Sequence, residues 1–202
     1  LNIYIGSDHS FCGSMNAAVN IAVAEDAVAE DAAAEKILVG KKLSKGAPGT
    51  LLAVDREALG KEYGKITEIL EDALVNQRYS AINVAYNRSD GSGGIELWRR
   101  RLYPIELTSD AKDHYTDDFS VEGGAEELLF ALCATHAGYG LMAAAAESSA
   151  AESMLRQNTT AESLKRLDER EAEERVLAAK VREQASFRRV LDSHVKKCFY
   201  GG

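Results

Sequence analysis

Cys12 lies within GSDHSFCGSMN (Gly6–Asn16), three residues after His9 and just ahead of an alanine-rich run. A thiol at a helix entry beside an imidazole is a setting for a thiolate nucleophile, because a helix N-terminus lowers the thiol pKa. The same residues suit a second role. A serine or aspartate after a strand caps the helix that follows, and Gly13 permits a tight turn. The residue types favour this structural elbow, with a Cys12 nucleophile as the alternative. Glu25–Asp26 and Glu30–Asp31 fall in a helical stretch and read as a solvated face. Cys12, Cys133 and Cys198 are far apart, as are His9, His114, His136 and His194, so zinc-type ligand spacing is missing. Neither GxGxxG nor GxxxxGK[ST] occurs, so the chain lacks the usual phosphate-cradling loops. No metal and no cofactor is expected.

These groups need elements to hold them, and composition bounds what those are. The 202 residues fit one ordinary domain, or a domain plus an extended element. Hydrophobic residues make up 46% but aromatics only 7%, and alanine favours close helix contacts over bulky packing. The net charge of −8 argues against a nucleic-acid partner, which needs a basic face. No run reaches the ~18 uninterrupted apolar residues of a membrane span, so direct insertion is not expected. The odd cysteine count suggests reduced thiols in a cytoplasm. The chain opens directly in a strand pattern, and we expect sequence upstream of Leu1.

Strand patterns fall at Leu1–Ser7, Ile37–Gly40, Leu51–Val54, Ala81–Tyr86 and Ile95–Leu102. Helical patterns fill Ala17–Glu35 and Arg56–Asn76, the latter with Ile66, Ile69, Leu70 and Leu74 facing a core. This alternation predicts an α/β fold: a small, mostly parallel, twisted sheet with flanking helices and an antiparallel last strand. From Glu126 to Phe199 there is no proline, and Gly138 and Gly140 stand alone. Such a helix would run roughly 110 Å, too long for a small domain to bury, so it must project. Leu164, Leu167, Val176, Leu177, Val181, Phe187, Val190, Leu191 and Val195 recur at three- and four-residue steps amid charges of both signs. This stripe needs another helix to cover it. The domain division is a base at 1–120 and a long helix at 121–202.

GSDHSFCGSMN resembles the strand–turn–helix signature of F-type ATP synthase gamma subunits, above all the divergent N-type, often sodium-linked, branch. AYNRSDGSGGIELWRRRLYPIEL is similar to the family's strand–loop–strand, AESSAAESMLR (Ala146–Arg156) to its Ala-Ser-Glu segment, and VREQAS (Val181–Ser186) to its Arg-Gln region. Arg156 and Arg182 fall on family arginines without a gap between the two motifs. Ser10 replaces a family glycine where a positive φ is expected, and the tail SHVKKCFYGG departs from the family pattern.

The resemblance implies a central rotor shaft that performs no chemistry of its own. Its long helix would be half of an antiparallel coiled coil, lacking here the family's N-terminal helix. Implied partners are the alpha and beta subunits, an epsilon-type subunit and the membrane c-ring, on the cytoplasmic side of a bacterial plasma membrane. Either protons or sodium could drive it. Arg156, Arg182 and Gln184 are the implied contacts with the catalytic head, and Ser7, Asp8, Cys12, Gly13 and Asn16 shape the base-domain elbow. A coiled-coil adaptor is a further alternative.

Overall fold

A computed structural model describes residues 1–10, 12, 15–28, 34–105 and 123–200. The chain divides into two compact units, 1–156 and 157–202.

The first unit is built on five strands: β1 (Asn2–Ile5), β2 (Lys36–Val39), β3 (Thr50–Val54), β4 (Ile82–Ser89) and β5 (Ile95–Tyr103). Their order is β3-β2-β1-β4-β5. The first four are parallel, and β5 returns antiparallel on β4. Helix α1 (Met15–Val28) follows β1, α2 (Leu59–Val75) follows β3, and α3 (Ala125–Tyr200) follows β5. The expected fold class is therefore observed, with a strand in each segment where the sequence pattern predicts one.

Strand alternation sorts the core into two layers. Tyr4, Leu38 and Ala85 point to one face and pack with Val19, Ala22 and Val23 of α1. Ile3, Ile5, Ile37, Val39, Val84 and Tyr86 point to the other face. There they meet Ile66, Leu70 and Leu74 of α2 and Cys133, Ala134, Ala137, Leu141, Ala144 and Ala145 of α3. Ile69 is only partly buried. Most of the α3 contact residues are alanine, and Gly140 brings the helix closer still. A Cβ there would stand 2.6 Å from Leu102 Cδ2. An 18-residue window of α3 is apolar enough by composition to cross a membrane, and 44% of it is buried in the fold.

Three local expectations change. The first helix begins at Met15, and Ala34–Glu35 are not helical, because Glu35 lends its carbonyl to the Asn2 N–H at the entry to β2. Ser10 does not need the left-handed backbone expected of it. Among the described residues the non-glycine with positive φ is Gln77, at 47°. It ends α2, with Arg78 N–H bonded to the Ala73 carbonyl at 2.9 Å, the pattern of a Schellman cap. Asp26 is not merely solvated: it accepts the Tyr4 hydroxyl from the sheet and pairs with Arg99 at 3.1 Å. Glu25 is exposed as expected, and Glu30 and Asp31 lie outside the described residues.

Among the described residues the strand β5 lies at one side of the sheet and pairs with β4 alone. It carries Arg99, Arg100 and Arg101 in succession, all exposed. Asp90 organises the turn before it, its Oδ1 accepting the Ser92 and Gly94 N–H groups at 2.8 and 2.9 Å.

In the second unit the described residues continue α3 alone. From Ala161 on, every described side chain is exposed, including Leu177 at 63% and Phe187 at 66%. Glu162–Arg166 and Glu171–Arg175 form i,i+4 ion pairs, the first at 2.6 Å. Such pairs each add about 0.2–0.5 kcal/mol to an isolated helix. They help hold a helix whose apolar positions gain nothing from the rest of this unit.

Candidate functional site: the sheet elbow and its tie to the long helix

In an open α/β sheet the strand order reverses at one point, here between β1 and β4, and the crevice beyond the strand ends is where ligands usually bind. In this chain the loops beyond the strand ends are tied together by their own side chains. Asp8 leaves β1 and turns its carboxylate onto the loops after β2 and β3. Oδ1 accepts the Lys41 N–H at 2.7 Å and the Arg56 N–H at 3.1 Å, and Oδ2 accepts the Glu57 N–H at 3.0 Å. Burial alone would raise the Asp8 pKa, but the backbone donors of Glu57, Lys41 and Arg56 outweigh it and hold the carboxyl below its usual range. Gly40 allows this close approach. Its φ is +133°, and a Cβ would stand 2.9 Å from the Gly6 carbonyl carbon.

The other elbow residues close around the same turn. Asn16, in the first turn of α1, accepts the Ser7 N–H at 2.8 Å. Asn87, near the end of β4, donates to the Met15 carbonyl at 3.1 Å. Ser7, Asp8, Cys12 and Asn16 are thus brought together, while Gly13 lies outside the described residues. The Cys12 thiol is buried. Its sulfur lies 3.3 Å from Ser7 Oγ and 3.4 Å from the His9 carbonyl oxygen. The His9 imidazole turns instead to α3, with Nε2 4.0 Å from Glu152 Oε1. Among the described residues the thiol's partners are thus Ser7 Oγ and backbone carbonyls, with the His9 imidazole directed elsewhere.

Glu152 and Arg56 were not singled out from the sequence. Glu152 is only 2% exposed, and its Oε2 accepts the Arg56 guanidinium Nη2. Arg156, one turn further on, has Nη1 4.0 Å from Glu152 Oε1. A buried carboxylate needs such cationic partners. The available signal was a glutamate continuing the alanine face of α3, inside AESSAAESMLR. About a turn and a half earlier, Glu147 Oε2 accepts the Tyr86 hydroxyl of β4 at 2.9 Å. Burial, and then this bond to Glu147, push the Tyr86 phenol up to about 12.

Arg182 and Gln184 belong to the second unit, where both are exposed on α3. Among the described residues no group of three or more His, Cys, Asp and Glu side chains is arranged to hold a metal. The elbow thus joins three loops and a helix through satisfied internal bonds, an arrangement suited to holding geometry.

A family model described as ATP synthase matches residues 1–186. No curated protein matches the chain. Among solved structures, the fold resembles a chain of the Tetrahymena thermophila mitochondrial ATP synthase central stalk and c-ring. The TM-score is 0.56 at 19% identity, covering 80% of this chain and 75% of that one. A chain from the Euglena gracilis mitochondrial ATP synthase, in a structure of OSCP, F1 and c-ring, gives a TM-score of 0.52 at 15% identity. The match covers 96% of this chain and 73% of that one. With the family model spanning most of its length and the elbow, sheet and long helix in place, the chain belongs to the ATP synthase gamma-subunit family, the central rotor-shaft subunits.

Proposed function

We propose that this subunit works as a shaft and has no catalytic residues of its own. The observation that carries this is α3, a 76-residue helix whose described apolar positions in the second unit are all exposed. Such a stripe is stable only when another helix covers it. By resemblance to the family, that cover is an N-terminal helix in an antiparallel coiled coil. The coil stands within the ring of alpha and beta subunits, and the α/β unit meets the c-ring and an epsilon-type subunit.

Because a shaft is asymmetric, each catalytic site faces a different side of it, and rotation shifts each site's preferred conformation in turn. Arg156, Arg182 and Gln184 are the contacts with the head in this reading, since all three fall in segments similar to family motifs. Ser7, Asp8, Cys12, Gly13 and Asn16 keep the elbow rigid. The resemblance to N-type subunits favours a place on the cytoplasmic side of a bacterial plasma membrane, with protons or sodium as the coupling ion. The buried Cys12 thiol weighs against a nucleophile.

The test is co-expression with the cognate alpha and beta subunits. Recovery of a stoichiometric complex whose ATP hydrolysis drives ion pumping supports the shaft. Arg182→Ala with Gln184→Ala should cut turnover while leaving the isolated chain's stability unchanged. Thiol-dependent turnover by the isolated chain, lost in Cys12→Ala, would overturn the reading.

A further inference from the structure

A shaft must pass torque between its α/β unit and its long helix, and the contact between them within residues 1–156 has two unlike parts. The larger part is apolar. Ala134, Ala137, Leu141, Ala144, Ala145 and Ala151 are all buried along one stripe of α3. Contacts of this kind are non-directional, and small side chains offer little to stop a helix rolling about its own axis. Directional bonds from α3 to the sheet and its loops are instead found in the turns just before Arg156. Tyr86 donates to Glu147 at 2.9 Å, and Arg56 donates to Glu152. At 3.6 residues per turn these carboxylates stand about 140° apart around the helix, Glu152 within the buried stripe and Glu147 beyond its edge. A roll in either sense must therefore stretch or misalign one of the two bonds, and hydrogen bonds weaken steeply with angle.

The partners are themselves braced. Tyr86 is a buried residue of β4 in the core of the sheet. Arg56 is fixed through its own N–H on Asp8, which also holds the loop after β2. Resting on the shaft reading, we infer that Glu147 and Glu152 are a two-point key. They fix the rotational setting of α3 on the sheet, so that torque reaches the helix without slip. They are positioning residues, since neither is asked to touch nucleotide.

The test uses the assembled synthase. Arg56→Met with Glu152→Met removes the charged pair while keeping bulk, and Tyr86→Phe removes the second bond without disturbing a carboxylate. Ions pumped per ATP hydrolysed, and the torsional stiffness of single rotating complexes, are compared with the parent. Each change should lower stiffness, and the triple variant should lower the ion-to-ATP ratio about two-fold or more, with hydrolysis itself nearly retained. The exchange Arg56→Glu with Glu152→Arg should recover part of the stiffness. Unchanged stiffness in an assembled triple variant would overturn the key while leaving the shaft reading intact. Failure of the parent chain to assemble with alpha and beta subunits would instead remove the shaft reading and the key with it. A triple variant that fails to assemble is decided by Tyr86→Phe alone, whose stiffness must fall.

Discussion

Asp8 Oδ1 accepts the backbone N–H of Lys41 at 2.7 Å, which ties the loop leaving β1 to the loop leaving β2 across a separation of 33 residues. The same carboxylate holds Arg56 and Glu57, so one side chain sets three strand ends.

Asp8→Asn keeps one acceptor oxygen and turns an amide N–H₂ toward backbone donors. It should cost about 1–3 kcal/mol in urea unfolding. The pH dependence has a definite sign. The folded pKa is lowered from 3.8, so the stabilisation is complete above that value and is lost as pH falls through the lower folded one. Acid unfolding curves of the parent should steepen below pH 3.8, and Asp8→Asn should flatten that part.

Tyr86 gives the opposite sign. Its phenol is raised from 10.0 to about 12, so its contribution is intact below pH 10.0 and is lost as pH climbs towards about 12. Tyr4 is also raised, through burial and its bond to Asp26. An alkaline absorbance titration should therefore show two tyrosines ionising later than the rest, and Tyr86→Phe should remove one of them. Simultaneous ionisation of all tyrosines in the folded protein would contradict this.

Gln77 occupies a left-handed backbone position that glycine fills without steric cost. Gln77→Gly should raise stability by about 1 kcal/mol in thermal or urea melts. Gly40→Ala should do the reverse and by more, since the added methyl meets backbone as well as a positive φ.

The three thiols should separate by accessibility. Cys198 is exposed, while Cys12 and Cys133 are buried. A thiol reagent should modify Cys198 at once and the other two at least about 1,000-fold more slowly, at the rate set by opening of the fold. Mass spectrometry of the labelled peptides reads this directly. Rapid labelling of Cys12 would contradict its structural place.

Periodicity carried much of this fold. The two-residue alternation located the strands, and the three- and four-residue steps located α2 and the uncovered stripe of α3. The elbow was legible because capping and turn residues cluster between β1 and α1. What escaped was pairing at long range. Arg56 and Glu152 are 96 residues apart, and although Glu152 continues the alanine face of α3, a glutamate after an alanine run reads as surface. Asp26 was read as solvated for the same reason: its partners Tyr4 and Arg99 come from two different strands. Helix periodicity reports which face is apolar but not which neighbour a polar side chain on its flank will find. Ser10 was misjudged because a family glycine was taken to demand a left-handed backbone. Among the described non-glycine residues it is Gln77, at the end of α2, that adopts one.

The run Arg99–Arg101 on β5 has a consequence for solubility. Among the described residues β5 has β4 as its one neighbour, and a strand with one side unpaired invites a second copy to add its own strand there, the first step towards uncontrolled polymerisation. In an antiparallel meeting of two such borders, the guanidinium triplets would be forced into register at a sheet's interstrand spacing of about 4.8 Å, where like charges repel. Replacing the triplet with threonines would keep the β propensity and remove that repulsion, exchanging a self-avoiding rim for an adhesive one.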